Sequence, residues 1–196
     1  MRSAFPGVAL LALAATAGFG QMTGPVQPVP AAPAAPLPFY APAAPPATTI
    51  AGYPATIPAL STLSTALHAT SLATTLASAG PYTLFAPTNA AFARLAPGSL
   101  DLLLRPENKP SLAKLVGYHV VAGRITLADL KQAIASGGGS VRLATIEGDP
   151  LTLTLTDSAL LITDVNGNKS YIEQPDVMEA NGVVHVVNGV MIPKLG

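Results

Sequence analysis

Eleven of the 20 prolines in this 196-residue chain fall between Gln21 and Pro58, spaced among alanines in runs such as PVPAAPAAPLP and APAAPPA. Proline fixes φ and removes an amide donor, so this stretch supports neither a helix nor a sheet ladder and favours extended polyproline II. Folding is thereby confined to the residues C-terminal to it. The tract itself reads as a linker over residues 21–56, long enough at about 3.1 Å per residue to hold a domain on the order of 100 Å from a tether. The alternative is docking of this segment onto an aromatic-lined groove of a partner, for which the Phe39-Tyr40 pair is the place to look for a contact.

Ahead of the linker, Met1-Arg2 precedes VALLALAATAGFG, an apolar run from Val8 to Gly20 that is short for a bilayer span and carries small residues at Ala15 and Ala17. That pattern predicts a secretory signal over residues 1–20, cleaved near Ala17 or Gly20, with an uncleaved anchor as the alternative. After cleavage no span is expected. The 10 basic and 10 acidic residues cancel, and between Arg2 and Arg94 there is no charged side chain. No basic stripe is available to neutralise phosphates, which argues against a nucleic acid partner. Cysteine is absent, which removes disulfides and thiolate chemistry together.

Residues 57–196 are expected to form one domain. Leu60, Leu63 and Leu67, then Leu72 and Leu76 after a break near Thr70-Ser71, predict two short helices. A strand is expected at TLFAP, with Leu84 and Phe85 buried and Pro87 ending it; Thr88 or Asn89 then caps a helix whose Phe92 and Leu95 face the core. SLDLLL is expected to follow a cap at Ser99. In PSLAKLVGYH, Leu112, Leu115, Val116 and His119 share a face, and Thr126 with Asp129 forms a capping box for a helix carrying Leu127, Leu130 and Ile134. The period then changes: PLTLTLTD alternates leucine with threonine as a half-buried strand, flanked by SVRLATI and ALLITDV. Asn166-Gly167 and Asn181-Gly182 are hairpin-turn candidates, and VVHVVNGVMIP, apolar on both faces, is expected inside the sheet with a bulge or bend at Asn188-Gly189.

Taken together, YTLFAPTNAAFARL at 82–95, GYHVV at 117–121 and NGVVHVVNGVMIP at 181–193 resemble the fasciclin domain, in which a first box, a Tyr-His pair and a second box occur in this order. The match spans about residues 57–195. Thr83, Phe85, Pro87, Thr88, Asn89, Phe92, Asn181, Gly182 and His185 are the motif residues with expected structural roles. The resemblance implies an α/β (α+β-like) fold, a wedge of two β-sheets with several short helices packed along one side and edge. It also implies a non-enzymatic extracellular module for adhesion or matrix contact, secreted or held at the cell envelope, with a cell-surface or matrix protein or a polysaccharide as partner. Two other roles stay open: a carrier holding a small apolar molecule between helices and sheet, and a purely structural envelope component. On the last reading, deleting residues 21–56 should leave domain unfolding unchanged.

In some animal members of that family, integrin recognition is attributed to a tyrosine–histidine segment and a short Asp-Ile stretch. The first maps onto Tyr118 and His119, the second onto Gln174, Pro175, Asp176, Val177 and Met178, with glutamine and valine standing where glutamate and isoleucine are usual. Against this stand local readings: Asp176 as a turn or cap residue, and His119 and His185 as hydrogen-bonded core histidines. His68 ends a helix, where it favours the negative end of the dipole. No histidine pair has i, i+4 spacing and no carboxylate lies beside them, so no metal site is expected; no cofactor is expected either. No Gly-x-Ser-x-Gly elbow or phosphate loop is present, and SGGGS is a connector; catalysis is not expected.

Overall fold

The computed structural model describes residues 48–78, 80–156 and 159–194. The expected signal segment, residues 21–47 of the linker and the Phe39-Tyr40 pair lie outside them. Residues 48–56, read from composition as the end of the linker, are instead part of the fold. Ile50 is fully buried, its N–H donates to the Asn181 Oδ1 at 3.0 Å, and the Thr48 carbonyl accepts from Ala180. An isoleucine among prolines finds cover that no local pattern announces. Pro54 sits in the first turn of a helix, α1 (Tyr53–Thr56), where a proline has no hydrogen bond to lose.

Five more helices surround the first strand: α2 (Ser61–Ala69), α3 (Leu72–Ala77), α4 (Asn89–Ala93), α5 (Ser99–Leu104) and α6 (Lys109–Tyr118), with β1 (Tyr82–Pro87) between α3 and α4. The remaining order is β2 (Val120–Ala122), α7 (Leu127–Ser136), β3 (Ser140–Ala144), β4 (Pro150–Thr156), β5 (Ala159–Thr163), β6 (Lys169–Glu179) and β7 (Gly182–Val187). The capping box of α7 forms as its sequence predicts. Ser99 is not a cap: it is the first residue of α5 and its hydroxyl makes no cap bond, and the cap position belongs to Gly98, whose φ of 80° suits a residue without a Cβ.

The seven strands form a mixed α+β sheet in the order β2-β1-β7-β6-β5-β4-β3. β1 and β7 run parallel, from Tyr82 opposite Gly182 to Pro87 opposite Val187, and the other neighbours are antiparallel. The long β6 pairs with β5 through its first residues and with β7 through its last, so it joins the β2-β1-β7 half of the wedge to the β5-β4-β3 half. At the far ends, a bridge between Val121 and Thr145 brings β2 back against the end of β3.

This layout explains a strand apolar on both faces. In β1 and β7, Leu84, Ala86, Val184 and Val186 join Leu63, Leu67, Leu112 and Leu115 in a core under the helices. Phe85 and Val187 point the other way, into a second core with Tyr118, Leu130, Leu151, Leu153 and Ile162. A strand with a core on each side has no polar face. β4 keeps its alternation, Leu151 and Leu153 buried, until Leu155 emerges 45% exposed at the strand end.

Two turn expectations change. The two-residue loop between β6 and β7 is Ala180-Asn181, because Glu179 already pairs with Gly182. Gly182 lies in the strand, where a Cβ would sit 2.1 Å from the Tyr82 carbonyl oxygen; close approach of β1, not turn conformation, requires glycine. Asn188-Gly189 is not a bulge within a continuing strand: β7 ends at Val187. Asn188 places its side-chain Oδ1 where a ladder carbonyl would be, accepting from the Tyr171 N–H at 2.9 Å, and the chain turns away. Asn166-Gly167 does lie in a hairpin, in a loop of residues 164–168 closed by the pair Thr163–Lys169.

Candidate functional site

Between Ile172 and Val177 the pairing of β6 with β7 slips twice, and Asp176 takes a left-handed φ of 58°. Bulges re-aim side chains: Glu173, Gln174, Pro175 and Asp176 are exposed, Val177 is half-buried against the helix-side core, and Met178 is 43% exposed. The projection is anchored from below. The Asp176 Oδ1 accepts from the Leu127 N–H at 2.7 Å, capping the start of α7. Its own N–H donates to the His185 Nδ1 at 3.2 Å, and the His185 Nε2–H donates to the Ile125 carbonyl at 2.9 Å. With Nδ1 accepting, the ring is neutral. Burial holds its pKa below the usual histidine value, against weaker opposing effects from the Ile125 carbonyl and the Asp176 charge. The ring also stacks on Phe85, centroids 5.5 Å apart.

The Tyr-His pair has no surface to offer. Tyr118 is fully buried; its hydroxyl donates to the Pro150 carbonyl at 3.0 Å and accepts from the Val165 N–H at 3.1 Å, and burial pushes its pKa up to about 12. His119 is 1% exposed. Its Nδ1–H donates to the Leu115 carbonyl at 2.7 Å and its Nε2 accepts from the Met191 N–H at 3.1 Å, and burial lowers its pKa to about 4. A partner cannot touch either side chain in this fold. Both tie α6 to later segments, because a helix face with cores on two sides turns its last residues inward.

The motif residues lie beside these anchors. The Thr83 hydroxyl donates to the Gly123 carbonyl and accepts from the Ile125 N–H. Pro87 ends β1, the Thr88 N–H reaches the Val187 carbonyl, and the Thr88 hydroxyl caps α4 by accepting from Ala91. Asn89 serves a different helix: its Oδ1 accepts from the Thr62 N–H and its Nδ2 donates to Pro58 and Ser61. Phe92 is buried in the helix-side core. The Asn181 side chain binds two segments, taking Ile50 on Oδ1 and reaching the Leu76 and Ser78 carbonyls at the end of α3 with Nδ2. His68 stays on the surface, its Nδ1 bonded to the Ser64 carbonyl.

Two groups escaped the sequence reading. Asp164 is buried, and its carboxylate collects the N–H groups of Asn166, Asn168 and Ile192; an aspartate two residues before an Asn-Gly turn is the available signal. Glu179, 3% exposed, accepts from the Thr48 hydroxyl, a contact across the chain with no local signature.

The arrangement of helices and mixed sheet is similar to a solved pair of FAS1 domains from the insect cell adhesion molecule Fasciclin I, with a TM-score of 0.65 over 77% of this chain and 52% of that one, at 21% identity. The Fasciclin domain model matches residues 58–193, and the chain belongs to the fasciclin domain family. Protein sll1483 of Synechocystis is 39% identical over 135 residues, covering 69% of this chain and 68% of that protein. Transforming growth factor-beta-induced protein ig-h3 of Oryctolagus cuniculus is 37% identical over 124 residues, covering 62% of this chain but only 16% of that larger protein.

Proposed function

We propose that this protein is a non-enzymatic adhesion or matrix-interaction module, acting outside the cell or in its envelope and binding a protein or polysaccharide through the β6 bulge. The observation that carries the reading is the anchored presentation of Glu173 to Asp176 and Met178: exposed side chains on a projection whose backbone is held by His185 and whose aspartate is held by α7. Membership of a family that includes an insect cell adhesion molecule supports it. Among the described residues no helix is long and apolar enough to cross a membrane.

Binding to extracellular material tests the reading, with the protein as bait and Glu173→Ala/Met178→Ser as the variant, which leaves Asp176 and its cap in place. The variant should lose retention while its unfolding midpoint stays the same. Retention equal to that of the parent would remove the bulge as the contact surface.

A further inference from the structure

Helix α5 carries Leu100, Leu102, Leu103 and Leu104 and buries none of them fully. Apolar helix faces in water are normally covered. Leu102 is instead 50% exposed, on the wall of a groove of about 350 Å³ that Leu95, Leu103, Leu115 and Ile192 also line. That volume is at the lower end of the range for small-molecule sites, about 300–1,000 Å³. Its polar lining is confined to the hydroxyl-bearing Ser99 and Ser111.

A second pocket of about 250 Å³ adjoins the groove, sharing Leu95, Ala96 and Ile192 as wall residues, and Arg94 and Lys169 line it. Neither cation is in an ion pair among the described residues; the Arg94 guanidinium donates there only to the Asn188 carbonyl, at 3.2 Å. The neighbouring carboxylate, Asp164, is buried and turned to its own loop and the Ile192 N–H. An apolar slot thus opens beside two cations that retain donors for an anion.

We propose that this surface binds a single-chain anionic amphiphile, a fatty carboxylate, with its hydrocarbon along the α5–α6 groove and its carboxylate against Arg94 and Lys169. The site shares no residue with the β6 bulge, so it is a second binding function and not a refinement of the adhesion surface. Charge complementarity at one end and leucine cover at the other select against both neutral long chains and short acids.

Calorimetric titration with dodecanoate below its micelle concentration tests this, beside 1-dodecanol, which lacks the charge, and butyrate, which lacks the chain. Saturable dodecanoate binding at a 1:1 ratio is expected, with butyrate inert. Arg94→Gln/Lys169→Gln should weaken dodecanoate about tenfold and leave 1-dodecanol unchanged, whereas Leu102→Ser should weaken both. Lys169→Gln alone, which breaks no hydrogen bond of the fold, gives the same readout if the Arg94 change lowers the unfolding midpoint. Absence of saturable dodecanoate binding, or equal binding by parent and cation variants, would overturn the proposal.

Discussion

At the scale of single residues, the histidines set a pH dependence. His119 has a folded pKa of about 4 against an ordinary 6.5. Between those values the unfolded chain takes up a proton that the folded one refuses, so stability is complete above pH 6.5 and falls as the pH drops towards 4. The span corresponds to about 3 kcal/mol, and His185 acts with the same sign. Urea unfolding at pH 7.5, 5.5 and 4.5 should show the decline, and His119→Gln should flatten its slope; equal slopes in parent and variant would refute the assignment. The two neighbours at the corner also separate. Thr88→Ala should cost about 1 kcal/mol through α4, and Asn89→Ala at least as much, because it frees the Thr62 N–H at the start of α2. The capping role of Thr88 is legible from its place after a strand and before NAAF. Asn89 is not legible in that way, because its partners lie 27 to 31 positions earlier.

At the scale of elements, the two cores divide the sheet, and one phenylalanine tests each. Phe85 fills the inner core and Phe92 the helix-side core, so either change to alanine should cost about 3–5 kcal/mol in chemical unfolding. Glycines give a sharper contrast. Gly98→Ala meets no atom within 4 Å but keeps a φ of 80°, for a cost of about 1 kcal/mol. Gly182→Ala forces a Cβ into the Tyr82 carbonyl and should abolish the cooperative transition or lower it by more than about 4 kcal/mol; similar midpoints for the two variants would contradict the β1–β7 approach. The strand containing Gly182 is visible as an apolar run. Its parallel neighbour is not, since pairing across about a hundred residues is a property of topology.

At the scale of the whole molecule, the domain boundary lies nearer the N-terminus than composition suggests. A chain beginning at Thr48 keeps the Ile50 contacts, whereas one beginning at Ile57 loses a buried isoleucine and the Asn181 bond. The shorter chain should be destabilised by about 2–5 kcal/mol, measured as the difference in thermal and urea midpoints between the two; identical midpoints would return residues 48–56 to the linker. What the sequence determined by itself is local: the capping box at Thr126, the leucine–threonine alternation of β4, the helical faces, and the order of boxes that marks the family. Such patterns work within a turn or two of chain, where neighbours in sequence are neighbours in space. Tertiary structure alone decided that Tyr118 and His119 are enclosed, that Asp176 caps a helix beginning 49 residues earlier, and that Leu102 of α5 stays half exposed while its neighbours Leu100, Leu103 and Leu104 pack against the core. Burial and distant hydrogen bonding depend on which surfaces the chain path brings together, and no periodicity records that.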